Sequence, residues 1–123
     1  MSINNNSIVK KILKLKNIAV VGMSPKKERP SNFVSVYMIN NGYNITPVNP
    51  GQKSIEGQKC YPSLLDIPTK IDIVNVFRKS KYVNAITEDA ISIKAKAIWL
   101  QDGVLCNRSS DEAKDAGLLF IMN

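Results

Sequence analysis

Seven basic residues and one acid fall in three short segments, each directly after an apolar run. Lys26, Lys27, Glu28 and Arg29 follow the run at 18–21. Lys53 follows the run at 43–48, and Arg78, Lys79 and Lys81 follow the run at 71–76. The chemistry open to such a set is the binding of an anion. The whole chain carries +7, from 17 Lys and Arg against 10 Asp and Glu. Such a balance points to nucleic acid, an acidic membrane or a phosphorylated small molecule. Other chemistries are excluded by what is missing. There is no histidine, which removes Ser-His-Asp and Cys-His catalysis, phosphohistidine transfer and most catalytic zinc sites. Cys60 and Cys106 are the only cysteines and form no CxxC pair, so neither a disulfide framework nor a four-cysteine metal site can form. Each reads as a reduced, interior small hydrophobe.

The elements that position the cations follow from hydrophobic periodicity. Ile8, Ile12 and Leu15 recur at helical spacing, with Lys10, Lys11, Lys14 and Lys16 on or near the other face, which predicts an amphipathic opening helix. Ile18-Ala19-Val20-Val21 is continuously apolar and ends at Gly22, the pattern of a strand buried on both faces. Pro30 suits the first turn of a helix, Val34, Tyr37 and Met38 give it an apolar stripe, and Asn41-Gly42 stops it. Tyr43 to Val48 is a second strand, and Ser63 to Asp66 one helical turn. A third strand runs from Ile71 to Val76. Val83, Ile86, Ala90 and Ile93 mark a helix, and Ala97 to Leu100 a fourth strand. Ser109-x-x-Glu112 reads as a capping box, Gly117 as a helix stop and Leu118 to Ile121 as the fifth strand. Strands and helices in alternation predict a Rossmann-like three-layer α/β sandwich with a five-stranded parallel sheet.

A chain of 123 residues is expected to form one domain, 1–123, opening with the amphipathic helix. The 44% hydrophobic and 22% charged content is that of a globular protein. No apolar run approaches the roughly 20 residues that span a bilayer, and 8–16 lacks the features of a signal peptide, so a cytoplasmic protein is expected.

Ligands of open parallel sheets sit beyond the carboxyl ends of the strands, which is where the three basic segments lie. The loop from Gly22 to a helix beginning near Pro30 suits a phosphate, through backbone N–H groups and the helix dipole. The loop lacks the GxGxxG of a dinucleotide site. Asn49 stands where such sites usually carry an acid for the ribose diol, and the next acid is Glu56. Lys53 suits an additional phosphate near a ribose, which also leaves NADP open. Gln101 is placed to point into the cleft, and Trp99 reads as sheet core.

Ile18-Ala19-Val20-Val21-Gly22-Met23-Ser24-Pro25-Lys26, Arg29-Pro30-Ser31, Gly42-Tyr43, Pro47-Val48-Asn49-Pro50-Gly51, Tyr61-Pro62-Ser63-Leu64, Val76-Phe77-Arg78 and Trp99-Leu100-Gln101 with Gly103 resemble the small stand-alone CoA-binding proteins. The same pattern is similar to the CoA-binding domain of the succinyl-CoA synthetase α subunit. The resemblance runs from about Lys16 to the end of the sequence. It implies a Rossmann-like domain whose ligand is coenzyme A. Carried over residue by residue, Gly22, Met23, Ser24 and Lys26 line the phosphate loop. Pro47, Val48 and Asn49 flank the adenosine, Lys53 approaches a phosphate, and Val76, Phe77 and Arg78 border the pyrophosphate and pantetheine. The 3′-phosphate and diphosphate of CoA match a cluster of cations better than NAD does. Relatives commonly continue past the fifth strand with an Asp-Arg-Cys-like segment, and this sequence ends at Met122-Asn123.

The function expected is therefore binding of CoA or an acyl-CoA without catalysis, with no metal. An NAD(P)-sensing module and an enzyme acting on a CoA thioester are the alternative readings. No nucleic-acid motif accompanies the charge, and neither nucleic acid nor a membrane is expected as a partner. A homodimer is the default expectation from general frequency.

Overall fold

The computed structural model describes residues 15–101 and 107–122. Within them the chain runs β1 (Asn17–Val21), α1 (Pro30–Asn40), β2 (Asn44–Val48), β3 (Ser54–Ile55), β4 (Gln58–Lys59), a 3₁₀ turn (Leu64–Asp66), β5 (Ile73–Val76), α2 (Ser80–Ser92), β6 (Ala97–Leu100), α3 (Asn107–Asp115) and β7 (Leu119–Met122). Five strands form one parallel sheet in the order β2-β1-β5-β6-β7, and β3 and β4 form a separate hairpin. This is the Rossmann-like α/β sandwich expected. The hairpin was not foreseen. The helix expected over 8–15 lies, apart from Leu15, outside the described residues, as do Asp102 and Cys106. Among the described residues no helix is long and apolar enough to cross a membrane.

The sheet divides the core in two because successive side chains on a strand point to opposite faces. Ala19, Val21, Val74, Val76, Ile98 and Leu100 pack with Val83 and Ala90 of α2 and Ala113 of α3. Ile18, Val20, Ile73 and Ala97 pack on the other face with Met23, Ile55 and Cys60, and Met38 and Ile39 of α1 lie against them. Burying each such aliphatic side chain contributes about 1.5–3 kcal/mol, so the strands hold their register by packing as well as by hydrogen bonds. Asp72 joins the amino ends of three strands. Its N–H donates to Asn17 O at 2.8 Å, its carbonyl accepts from Lys96 and Ala97, and its Oδ2 accepts from Asn17 N–H at 3.2 Å. Beyond β2, Tyr61 adds a single parallel bridge at Val48 that covers part of the sheet edge.

α1 departs from the expected apolar stripe. Its buried residues are Ser31, Asn32 and Ser35, while Phe33 is 52% and Tyr37 67% exposed. The reason lies in what the helix packs on: its first turns rest on polar backbone of the preceding loop, as the site shows. The capping box is also corrected. α3 begins at Asn107, so Ser109 lies inside the first turn, fully buried, and its hydroxyl donates to Asn84 Oδ1 on α2 at 3.3 Å.

All three helices end in the same way. After α1, Tyr43 N–H reaches Met38 O and Gly42 N–H reaches Ile39 O. After α2, Ala95 reaches Ala90 and Lys94 reaches Ile91. After α3, Leu118 reaches Ala113 and Gly117 reaches Lys114. This paired bonding needs a left-handed residue at the turn. Gly42 and Gly117 supply it freely at φ 90° and 86°, but after α2 the position is Lys94 at φ 60°. Replacing Lys94 by Gly should therefore raise unfolding stability by about 0.5–1 kcal/mol, read as a higher urea midpoint at unchanged slope.

Candidate functional site

From β1 the chain moves to β2 on one side, then returns across β1 to β5 on the other. The crevice at the carboxyl ends of β1 and β5 is thus the switch point, where open parallel sheets take ligands. Two backbone segments meet there. Gly22 N–H donates to Val48 O at 2.9 Å, and Phe77 N–H donates to Val21 O at 2.9 Å. Gly22 has φ +85°, and a Cβ on it would stand 2.7 Å from Phe77 O and 2.9 Å from Arg78 Cδ. Only glycine satisfies both the dihedral and the approach.

The loop after Gly22 is tied down at several of its polar atoms. Ser24 N–H donates to Ser31 Oγ at 3.0 Å, and Lys26 N–H donates to Ser24 Oγ at 3.1 Å. Asn32, 1% exposed, donates through Nδ2 to Ser24 O at 2.9 Å and to Glu56 Oε2 at 3.1 Å. Asn49 Nδ2 donates to Met23 O at 3.0 Å, while its Oδ1 accepts from Gly51 N–H at 2.8 Å. Glu56 belongs to the two-residue turn of the β3–β4 hairpin, with φ 51° followed by Gly57 at φ 76°. A second oxygen of Glu56 stands 3.8 Å from Lys27 Nζ. α1 then starts at Pro30, and its N-cap residue Arg29 places no side-chain cap on the first-turn amides. Asn32 and Phe33 N–H both donate to Arg29 O, at 2.9 and 3.1 Å, and Pro30 has no N–H, so the helix start offers an anion mainly its dipole end and the Ser31 N–H.

Two of the cavities that Phe77 lines matter here. One, about 390 Å³, has apolar walls of Val21, Val48, Pro50, Pro62, Leu64 and Ile86, with Asn49, Ser63, Arg78, Tyr82 and Asp89 among its polar lining. The other, about 410 Å³, is lined by Gly22, Ser24, Lys26, Arg29, Pro30, Ser31 and Phe77. Arg78 lies over the Tyr82 ring, its Cζ 4.2 Å from the centroid, and Lys81 Nζ approaches the same ring at 5.1 Å. The result is a largely apolar slot beside a polar pocket walled by Lys26 and Arg29.

The residues expected at the site divide by location. Gly22, Ser24, Val48, Asn49, Phe77 and Arg78 line the first cavity or both, and Lys26 lines the second. Met23, Pro47 and Val76 are fully buried. Met23 presents its carbonyl to Asn49, and Pro47 its carbonyl to Tyr61 N–H. Lys53 is exposed and lines neither cavity. Gln101 does not point into the cleft: its Nε2 donates to Asn75 Oδ1 on β5. Trp99 packs against the α1-side core as expected. Sequence reasoning missed Pro25, Pro50, Pro62, Tyr82 and Asp89. Tyr82, Ile86 and Asp89 are spaced four and three apart, one helix face, and that spacing was the available signal.

Two groups titrate abnormally. Burial pushes the Cys60 thiol up, more than its bonds to the carbonyls of Asn49 and Tyr61 pull it down. It is a buried neutral thiol beneath the hairpin. Burial, then the neighbouring Glu88 charge, raises the Asp89 carboxyl above its ordinary 3.8.

The fold is that of a parallel α/β domain with its cleft at the strand ends, the class to which small-molecule binding domains of this kind belong. The family model for the CoA binding domain matches residues 16–123, and the chain belongs to that family. The uncharacterized protein YneT of Bacillus subtilis is 39% identical over 116 residues, 94% of this chain and 86% of its own. A hypothetical protein from Pyrococcus horikoshii superimposes with a TM-score of 0.92 at 41% identity, covering 97% of this chain and 84% of its own. The ADP-forming acetate–CoA ligase II of Archaeoglobus fulgidus is 37% identical over 70 residues, 55% of this chain but 10% of the ligase. The chain therefore spans about a tenth of the length of that enzyme.

Gly22→Ala should cost about 2 kcal/mol or more in stability, because both its dihedral and its contact with Phe77 O must be relieved. Chemical denaturation reads this directly. Asp89→Asn should do the reverse. A carboxyl raised in the folded state contributes stability below its unfolded value near 3.8, and that contribution is lost as pH rises through the folded value. At neutral pH the charge is a cost, so the asparagine variant should melt higher than the natural chain at pH 7, with the difference vanishing towards pH 3.

Proposed function

We propose that the protein binds coenzyme A or an acyl-CoA in the crevice between β1 and β5, as one binding domain and without chemistry of its own. The observation that carries this is the pairing at one switch point of an uncapped helix start, walled by Lys26 and Arg29, with an apolar slot. Membership of the CoA binding domain family supports the ligand, and so does the ligase relative. In this reading the diphosphate lies along the Gly22–Ser24 backbone near Lys26 and Arg29. The adenosine enters the slot past Val48 and Asn49, and Arg78 spans the two. Lys53 approaches the 3′-phosphate from the loop after Gly51. Met23, Pro47 and Val76 act from beneath, by holding the backbone that the ligand touches. Among the described residues Asp89 is the slot's one carboxylate, and none of them bonds a basic side chain to it with which to share a proton, which supports binding over catalysis.

Thermal unfolding with CoA, dephospho-CoA, acetyl-CoA, NAD and NADP at matched concentration tests the reading. CoA at 100 times its dissociation constant should stabilise the fold by about 2.7 kcal/mol, a shift of roughly 10 °C. Lys53→Ala should weaken CoA about tenfold while leaving dephospho-CoA nearly unchanged, and Arg78→Ala should weaken both. A larger shift with NADP than with CoA would overturn the ligand, and loss of the thioester on incubation with acetyl-CoA would overturn the absence of catalysis.

A further inference from the structure

We propose that Asp89 reads the base of the bound nucleotide, its carboxylate accepting a hydrogen bond from the 6-amino group of adenine. This rests on the reading of the crevice as a CoA site and adds a specificity-determining residue to it.

Three other polar side chains of the slot have contacts of their own. Asn49 uses its amide N–H on Met23 O and its oxygen on Gly51 N–H. The Ser63 hydroxyl donates to Asp66 Oδ2 at 3.0 Å. Arg78 lies over Tyr82. Asp89 is different. It lines the slot, and no described residue gives its carboxylate a hydrogen bond or an ion pair. A half-buried acid without a partner weakens a site built for phosphates unless the ligand itself brings it a donor. An ionised carboxylate only accepts, so the matching ligand group must carry N–H or O–H.

Position selects which donor. Asp89 lies nine residues beyond Ser80, the first residue of α2. At about 1.5 Å per residue that is about 13 Å along the helix axis from its start at the strand ends. A nucleotide with its phosphates on the Gly22–Ser24 backbone has its ribose hydroxyls close to those phosphates and its base at the far end. Between them stand Val48, Pro50, Pro62, Leu64 and Ile86, apolar walls for the two faces of a purine. The donor that reaches the end of the slot is the exocyclic amine.

The test compares adenosine 3′,5′-bisphosphate with purine riboside 3′,5′-bisphosphate, which has the same phosphates and sugar but no 6-amino group. Each is titrated calorimetrically into the natural chain, Asp89→Asn and Asp89→Ala, with CoA titrated alongside. The natural chain should prefer the adenosine compound about tenfold, the size of a hydrogen bond to a charged group. Asp89→Asn, which keeps a neutral acceptor, should retain a smaller preference. Asp89→Ala should bind the two within about twofold of each other. A natural chain that does not discriminate, or an alanine variant that still prefers adenosine tenfold, overturns the role of Asp89 and leaves the CoA reading standing. A natural chain that binds neither CoA nor the bisphosphates overturns both. Circular dichroism of each variant confirms the fold before titration.

Discussion

The structure depends on one close approach. The backbone leaving β1 passes so near the backbone leaving β5 that no atom fits between Gly22 and Phe77 O beyond the glycine hydrogens. That approach follows from the strand order. A sheet that reverses direction between two neighbouring strands must send their following loops to opposite faces, which opens a crevice at their ends. Gly22 lets the first loop turn away at once, and Gly22, Ser24 and Phe77 then stand as the wall shared by the slot on the α2 side and the pocket at the start of α1. With a side chain at residue 22 the two cavities would no longer share a wall.

The same crevice explains why α1 is built against the usual rule. A surface helix turns its apolar stripe to the core, yet here Ser31, Asn32 and Ser35 face inward. Ser31 and Asn32 meet not strand side chains but the amide and carbonyl of Ser24 in the loop, and Ser35 returns its hydroxyl to Ser31 O within the helix. Buried backbone polar groups need partners, and Ser31 and Asn32 are short enough to provide them. Phe33 and Tyr37 are left outside as a result. The hairpin serves the same end. Glu56 adopts a left-handed conformation unfavourable for its type, by about 1–2 kcal/mol, and from there meets both Asn32 and Lys27.

Much of this was legible in the amino acids. The five strands stood out because a sheet covered on both faces demands unbroken apolar runs, and Ile18 to Val21 or Ala97 to Leu100 cannot be read otherwise. Gly22, Ser24, Asn49, Phe77 and Arg78 were legible because strand ends are where an open sheet exposes its loops. What stayed hidden depends on three-dimensional neighbours. Nothing in Ser54 to Lys59 alternates strongly enough to announce a hairpin, whose two strands are two residues each. The inward face of α1 is polar because of the loop it meets, so its periodicity misled. Gln101 was placed in the cleft because it follows a strand, but Asn75 on the adjacent strand offers its amide a nearer acceptor. Asp89 drew no reading from sequence, since only the packing of α2 beside the Pro62–Leu64 segment makes that face the wall of a slot.

The ties that bind Ser24, Asn32, Asn49 and Glu56 also have a kinetic meaning. They hold the loop between β1 and α1 in one shape before any anion arrives, so capture does not wait for a segment to order itself. On the proposed CoA reading, association is then governed by encounter, hastened by the field of Lys26, Arg29 and Arg78 and slowed as ionic strength rises. Ligands of equal charge should arrive at similar speeds and differ in how long they stay. Discrimination in such a crevice is exercised at departure.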